Sequence, residues 1–296
     1  MQVVVAGAHG FIGTALRRRL AGSGHHVRLL VRREPTAPDE IGWDPGDGRL
    51  DPDALAGADA VIDLAGVNPG TRPLTAARKR AVLDSRVDSA GLIARTLATL
   101  DGPRVLLQAS GIGAYGDRGD TALDESEPLG TTFFAEVVRQ WEAATAPAAD
   151  AGVRVVLLRT GVVLGPGGGA LKPMWPLLRA GLGGRMGSGR QYWSWITLPD
   201  EVAAIEHLLS ADVAGPVNLV TRADRNSDVV HELAHAMHRP APLPVPAWAL
   251  RLVLRDFSSE VLGSIRAVPA ALDATGFHPT HPDLASAARW LASSRS

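Results

Sequence analysis

The chain has 296 residues, 46% hydrophobic and 21% charged, which is room for one large or two modest domains with a real core. Its 30 basic residues nearly cancel 31 acidic ones, so no global field draws it to nucleic acid, and no apolar run approaches the roughly 18 residues of a membrane span. With no cysteine, disulfides, thiolate nucleophiles and cysteine-ligated metals are excluded.

Residues 3–6 form a short β-branched run ending in Gly7-Ala8-His9-Gly10-Phe11-Ile12-Gly13, after which Ala15, Leu16 and Leu20 recur at helical spacing. This predicts strand, glycine turn and helix. No basic segment precedes that strand, so a secretory leader is not expected and the predicted compartment is cytoplasmic. Further strands are predicted over 26–31, 60–64, 105–109 and 153–158, with helices over 76–99 and 133–146. Strands alternating with helices predict a doubly wound, parallel α/β domain over residues 1–160. A Gly-, Trp- and Arg-rich stretch over 161–195 predicts an irregular substrate loop. Residues 196–221 predict a helix and a strand returning to the core, and 222–296, punctuated by Pro240, Pro242, Pro244 and Pro246, a small, mainly helical cap.

Gly7, Gly10 and Gly13 have the spacing GxxGxxG. Gly7 permits a sharp turn off the strand, Gly10 lets backbone approach a pyrophosphate, and Gly13 allows close packing of helix on strand. The pyrophosphate of a dinucleotide would sit on N–H groups at the helix start. Where an NAD site places an acid for the ribose hydroxyl, about 20 residues after the turn, this chain has Arg32-Arg33. Arginine suits the 2′-phosphate of NADP(H), unless the pair is only a solvated basic loop. Asp63-Leu64-Ala65-Gly66 offers a backbone wall on the adenine side.

These segments, with Ser85-Arg86, Ser110-Gly111-Ile112-Gly113-Ala114-Tyr115-Gly116, Trp141-Glu142, Arg159-Thr160-Gly161-Val162-Val163-Leu164-Gly165 and Gly187-Ser188-Gly189, run in a distinctive order. The chain resembles an atypical, epimerase-like branch of the extended short-chain dehydrogenase/reductases (NAD-dependent epimerase/dehydratase-like) that carries a C-terminal domain of unknown function. The resemblance spans almost the whole chain, and the 159–165 motif, the 187–189 turn and the Gly276-Phe277 to Pro282 segment are specific to the branch. It implies a Rossmann core with a small cap, NADP(H), a small-molecule substrate, Arg86 and the 7–13 turn in the cofactor site, and a homodimer as in extended relatives. Val67-Asn68-Pro69 departs from the usual pattern after Gly66.

Extended members pair a tyrosine with a lysine four residues on, the lysine lowering the phenol's pKa. Here Gly119 follows Tyr115 and Ile196 follows Tyr192 at that distance, and counting back from Trp141-Glu142 the two slots fall on Phe134 and Val138. Proton transfer therefore needs another group: Ser110, Tyr115, Glu136, Tyr192, water, or none. Ser110 and Tyr115, at the end of a sheet strand, are the expected neutral donors, and Glu136 or bound water the expected proton carrier. Lys172, with Arg185, is a candidate for an anionic substrate. Trp175, Trp193 and Trp195 read either as aromatic walls for a substrate or as packing of cap onto core.

His231-Glu232-Leu233-Ala234-His235 matches the zinc-protease HExxH pattern, and His238 offers a third ligand. Val230, Leu233, Ala234 and Met237 make the same helix an ordinary core helix, and no metal is expected. The reading is an NADP(H)-dependent oxidoreductase without a Tyr-x-x-x-Lys pair. Its rival is a non-catalytic NADP(H)-binding sensor or partner-binding protein, and a zinc hydrolase stands third.

Overall fold

A computed structural model describes residues 1–101 and 105–294. In chain order the strands are β1 (Gln2–Ala6), β2 (His26–Val31), β3 (Glu40–Gly42), β4 (Ala60–Asp63), β5 (Val105–Gly111), β6 (Ala122–Leu123), β7 (Arg154–Thr160), β8 (Val162–Leu164), β9 (Tyr192–Thr197), β10 (Gly215–Leu219), β11 (Arg222–Arg225) and β12 (Arg266–Ala267). Seven of them form a parallel sheet in the order β10-β7-β5-β4-β1-β2-β3. The order reverses between β1 and β4, and in open α/β sheets such a switch point opens a ligand crevice at the strands' C-terminal ends. The fold is Rossmann-like.

Alternate residues of β1 feed opposite cores, as the two-residue period of a strand requires. Val3 and Val5 pack with Leu16 and Leu20 of the helix Phe11–Gly22 and with Ile205 and Leu208 of the helix Leu198–Leu208. Val4 and Ala6 pack on the other face with Leu92, Ile93 and Leu97 of the helix Ala76–Leu97. With apolar layers on both faces, the strands read as continuous Val/Ile/Leu runs.

The stretch 161–195 is more regular than its composition predicts. β8 and β9 flank it and join β11 in a three-stranded sheet, and the chain between them is broken by the short helix Trp175–Arg179. The cause is burial: Trp193, Trp195 and Ile196 of β9 are all buried. The helix expected over 133–146 stops at Ala143, and Pro147 sits in the first turn of a new short helix, Ala146–Asp150. Proline there lacks the N–H that a continuous helix needs. A third core joins Trp175, Trp193 and Trp195 to Val229 and Leu233 of the helix Asn226–Ala236 and to Leu291 of the helix Leu284–Ser293. Among the described residues no helix is long and apolar enough to cross a membrane.

Candidate active site

Gly7 leaves β1 with φ of +75°, and a Cβ there would lie 2.5 Å from the Leu64 carbonyl. A Cβ on Gly13 would lie 2.3 Å from the Gly7 oxygen. Glycine is therefore required at both positions for the turn to seat between β1 and β4. Gly10 caps the helix Phe11–Gly22 without a side-chain bond to it, and no acid stands in its first turn. Its first N–H groups and the positive end of its dipole remain for an anion.

The turn opens into a cleft of about 620 Å³ whose walls include Gly7, His9, Gly10, Arg32, Leu64 to Gly66, Trp43 to Gly46, Ser85 and Asp88. The structure thus gathers the glycine turn, the β4 wall and the end of β2 around one space. The wall at Trp43-Asp44-Pro45-Gly46 was not foreseen, because β3 is three residues long and carries too little pattern to announce itself.

Arg32 and Arg33 divide. Arg32 is exposed at the cleft. Arg33 also borders the cleft, but its guanidinium turns to Glu40 in a two-pronged ion pair and donates to the Thr36 hydroxyl at 2.9 Å. The hydrogen bond from Arg33, helped by that from the Thr36 backbone N–H, pulls the Glu40 carboxyl down to about 2. Arg33 thus ties the edge strand through Glu40 while bordering the cleft beside Arg32.

Two residues of the glycine motif contribute backbone only. The Phe11 ring turns away from the cleft onto the 165–169 loop, where a Cβ on Gly168 would meet it at 2.1 Å. Ile12 packs against the first core. Arg86, expected at the cofactor, instead donates to the carbonyls of Val67 and Val82, both at 3.0 Å, and lies over the Trp141 ring at 4.9 Å. It braces the loop after Gly66 from beneath, and burial lowers its pKa to about 10.

Sheet register places Ser110, Arg159 and Asn218 in one row across the C-terminal edge of β5, β7 and β10. Ser110 Oγ donates to Glu142 Oε1 at 2.6 Å, and Arg159 grips both Glu142 oxygens. Arg159 also donates to the Tyr115 hydroxyl at 3.1 Å, which in turn donates to Asn218 Oδ1 at 2.8 Å. Burial opposes the Arg159 charge, but the Glu142 carboxylate outweighs it and holds the guanidinium above its ordinary pKa. Tyr115 is wholly buried, and burial raises its phenol.

This network corrects one expectation. Tyr115 has its hydroxyl committed to Asn218 and is no donor to a ligand. Ser110 donates its hydroxyl to Glu142. In the sequence Glu142 and Arg159 stand out only as members of motifs. The available signal was an arginine closing the buried run Val155-Val156-Leu157-Leu158 of β7, since such a charge needs a partner.

The remaining side chains lie elsewhere. Glu136 is half-exposed on the helix Phe133–Ala143 and is held by Arg139 and Gln140, an arrangement that lowers its pKa and suits a surface ion pair, not a proton carrier. Trp175 and Trp193 pack in the cap core, with the Trp193 ring nitrogen donating to the Val261 carbonyl, and so form no cleft wall. Lys172 is exposed beyond the 165–169 loop. The rings of His231 and His235 stack 6.5 Å apart on an exposed helix face, while His238 lies past the helix end with φ of +54°. Among the described residues no three histidine or acidic side chains form a metal-holding group.

Comparison with known proteins now decides the family. A family model described as the NAD dependent epimerase/dehydratase family matches residues 3–220. The chain belongs to the NAD dependent epimerase/dehydratase family. Residues 245–291 match a second model, a domain of unknown function (DUF1731), the pairing that the sequence resemblance implies. Within the epimerase/dehydratase family the chain is 42% identical over 288 residues to the epimerase family protein Mb2239 of Mycobacterium bovis, covering 96% of this chain and 95% of that one. The crystal structure of human epimerase family protein SDR39U1 (isoform2) with NADPH matches with a TM-score of 0.91 and 33% identity over 99% of each chain. MoeE5 in complex with UDP-glucose and NAD matches with a TM-score of 0.74 and 25% identity over 98% of each.

Proposed function

We propose that this epimerase/dehydratase-family protein is an NADP(H)-dependent oxidoreductase acting on a small carbonyl or hydroxyl compound at the C-terminal edge of the central sheet. The observation that carries the reading is the cleft, which runs from the uncapped helix start at Gly10 to the exposed Arg32 and offers a cation where a ribose-reading acid would stand. The human relative whose structure contains NADPH supports the same nucleotide.

In this reading the amides after Gly10 hold the pyrophosphate, Arg32 pairs with the 2′-phosphate, and the Leu64 to Gly66 backbone walls the adenine half. A bound nicotinamide supplies hydride, and the protein supplies orientation. Ser110, held by Glu142 at the C-terminal end of β5, is the polar side chain of this edge that a substrate oxygen would meet first in this reading. The MoeE5 complex makes nucleotide sugars a sensible substrate class to try.

One observation favours a second reading. The Ser110–Glu142–Arg159–Tyr115 network is closed on itself, as it would be in a protein that binds NADP(H) without turning it over. The two separate by incubating the protein and NADPH with UDP-sugars and simple aldehydes and ketones while following the absorbance of reduced nicotinamide. Many turnovers with a product identified by mass establish the oxidoreductase; tight binding with no more than one equivalent consumed across the panel establishes the binder.

A further inference from the structure

The segment 255–262 lies within the residues that match the domain of unknown function and packs beside the turn that follows β5 and the helix Phe133–Ala143. It is pinned on two sides. Asp256 pairs with Lys79 at 2.5 Å, and the Phe257 ring meets the Phe134 ring edge-on, centroids 5.9 Å apart, while bordering Gly70. Between these anchors and Gly263, the short helix Ser258–Leu262 carries Glu260 inward.

The Glu260 carboxylate sits beside Gly113, in the single turn that follows β5 three residues after Ser110. A Cβ on Gly113 would stand 2.8 Å from Glu260 Oε2 and 3.6 Å from the Phe134 Cβ. Glycine at 113 is what leaves room for the acid. Glu260 is partly buried, and among the described residues its carboxylate has neither a hydrogen bond nor an ion pair. The charged groups of the surrounding elements are Lys79 and Asp256, already paired to each other, Arg255 at the start of the segment, Glu136 and Glu142 of the helix Phe133–Ala143, held by Arg139 and Arg159, and Asp117, which borders Gly263. Burial alone acts on the Glu260 carboxyl and pushes it up to about 7. A group poised near the working pH is what general acid–base chemistry selects.

We infer that Glu260, contributed by the C-terminal domain, is the proton donor and acceptor for the substrate oxygen, placed where the neighbouring Phe134 has no proton to give. The inference rests on the oxidoreductase reading above. In the reducing direction Glu260, as the neutral acid, gives its proton to the carbonyl oxygen while hydride from the reduced nicotinamide reaches the carbonyl carbon. The carbonyl π pair becomes the O–H bond, and the products are the alcohol, the oxidised nicotinamide and the Glu260 carboxylate, which regains a proton from water. The oxidising direction is the reverse.

The test is carboxyl carbon NMR on protein labelled in glutamate, with the Glu260 resonance assigned by its loss in Glu260→Gln. Should that variant fail to fold, Glu260→Asp assigns the signal instead. Calorimetry on the same samples records NADP+ and NADPH binding. The expected result is a Glu260 midpoint near 7 in the free protein, and a lower midpoint with NADP+ than with NADPH. The phosphates are common to both complexes, and only the oxidised ring is positive, which favours a nearby carboxylate. Equal midpoints in the two complexes overturn the role of Glu260 and leave the cofactor reading standing, whereas failure of both nucleotides to bind overturns both. A midpoint in the ordinary carboxylate range also overturns the assignment.

Discussion

Arg159 and Glu142 meet inside the molecule as a two-pronged ion pair, Nε to Oε1 at 2.9 Å and Nη2 to Oε2 at 2.8 Å, with side chains only 6% and 10% exposed. Arg159 lies in the row where β5, β7 and β10 end, and Glu142 reaches it from the helix Phe133–Ala143, so the pair ties that helix to the C-terminal edge of the sheet. Removing one partner of such a pair leaves the other charge buried alone, which costs about 3–5 kcal/mol. Glu142→Ala is expected to lower the unfolding free energy by that order, and Glu142→Ala with Arg159→Met to recover part of it. Urea unfolding of the single and double variants checks this; a neutral Glu142→Ala would contradict it.

The contrast between Arg32 and Arg33 gives a second expectation. Arg32→Ala removes a charged hydrogen bond to the 2′-phosphate and is expected to weaken NADPH by about 1.5–3 kcal/mol with little effect on NADH. Arg33→Ala releases Glu40 and loosens the edge strand β3, leaving the preference between nucleotides intact. Titration calorimetry of each variant with both nucleotides distinguishes them, and equal effects of the two substitutions would contradict the division.

Much of the fold was legible because its signals are local. The glycine spacing at 7, 10 and 13 is enforced by contacts within one turn and the adjoining β4 end, and the β-branched strands carry their burial in composition. The network at the site was not legible in that way. Glu142 and Arg159 are 17 positions apart, and Tyr115 and Asn218 are 103 apart, so their meeting depends on sheet register. Arg32 and Arg33 are adjacent in sequence, and only the fold-back to Glu40 separates their roles. Trp175 and Trp193 looked alike as wall or core until the cap helices were in place. Glu260 lies in a five-residue helix, too short for a periodic pattern to show which way it faces.

Glu201 supplies a pH signature. It is wholly buried, accepts a hydrogen bond from the Thr160 hydroxyl at 2.8 Å, and burial pushes it from the ordinary 4.5 up to about 8. The native state then keeps a proton that the unfolded chain releases. Its contribution to stability is full below about 4.5 and declines as pH rises toward about 8. Glu201→Gln is neutral throughout and is expected to flatten that decline, with the Glu260 contribution common to both proteins. Parallel melting profiles of parent and variant across this window would contradict the assignment.

His231 and His235 lie on an exposed helix face, so changing both to Gln is expected to alter stability by no more than about 0.5 kcal/mol. Nucleotide affinity is expected to stay as it is. Stoichiometric zinc in protein purified without added metal, lost in the double variant, would instead make the HExxH segment a metal site.

The account turns on what the cleft between Gly10 and Arg32 holds. Titration calorimetry of the unmodified protein with NADPH and NADH, at one ionic strength, measures this directly. One NADPH per chain, bound more tightly than NADH by the order of a charged hydrogen bond, about 1.5–3 kcal/mol, is the result expected. Equal affinities for the two nucleotides, or binding of neither, would contradict it.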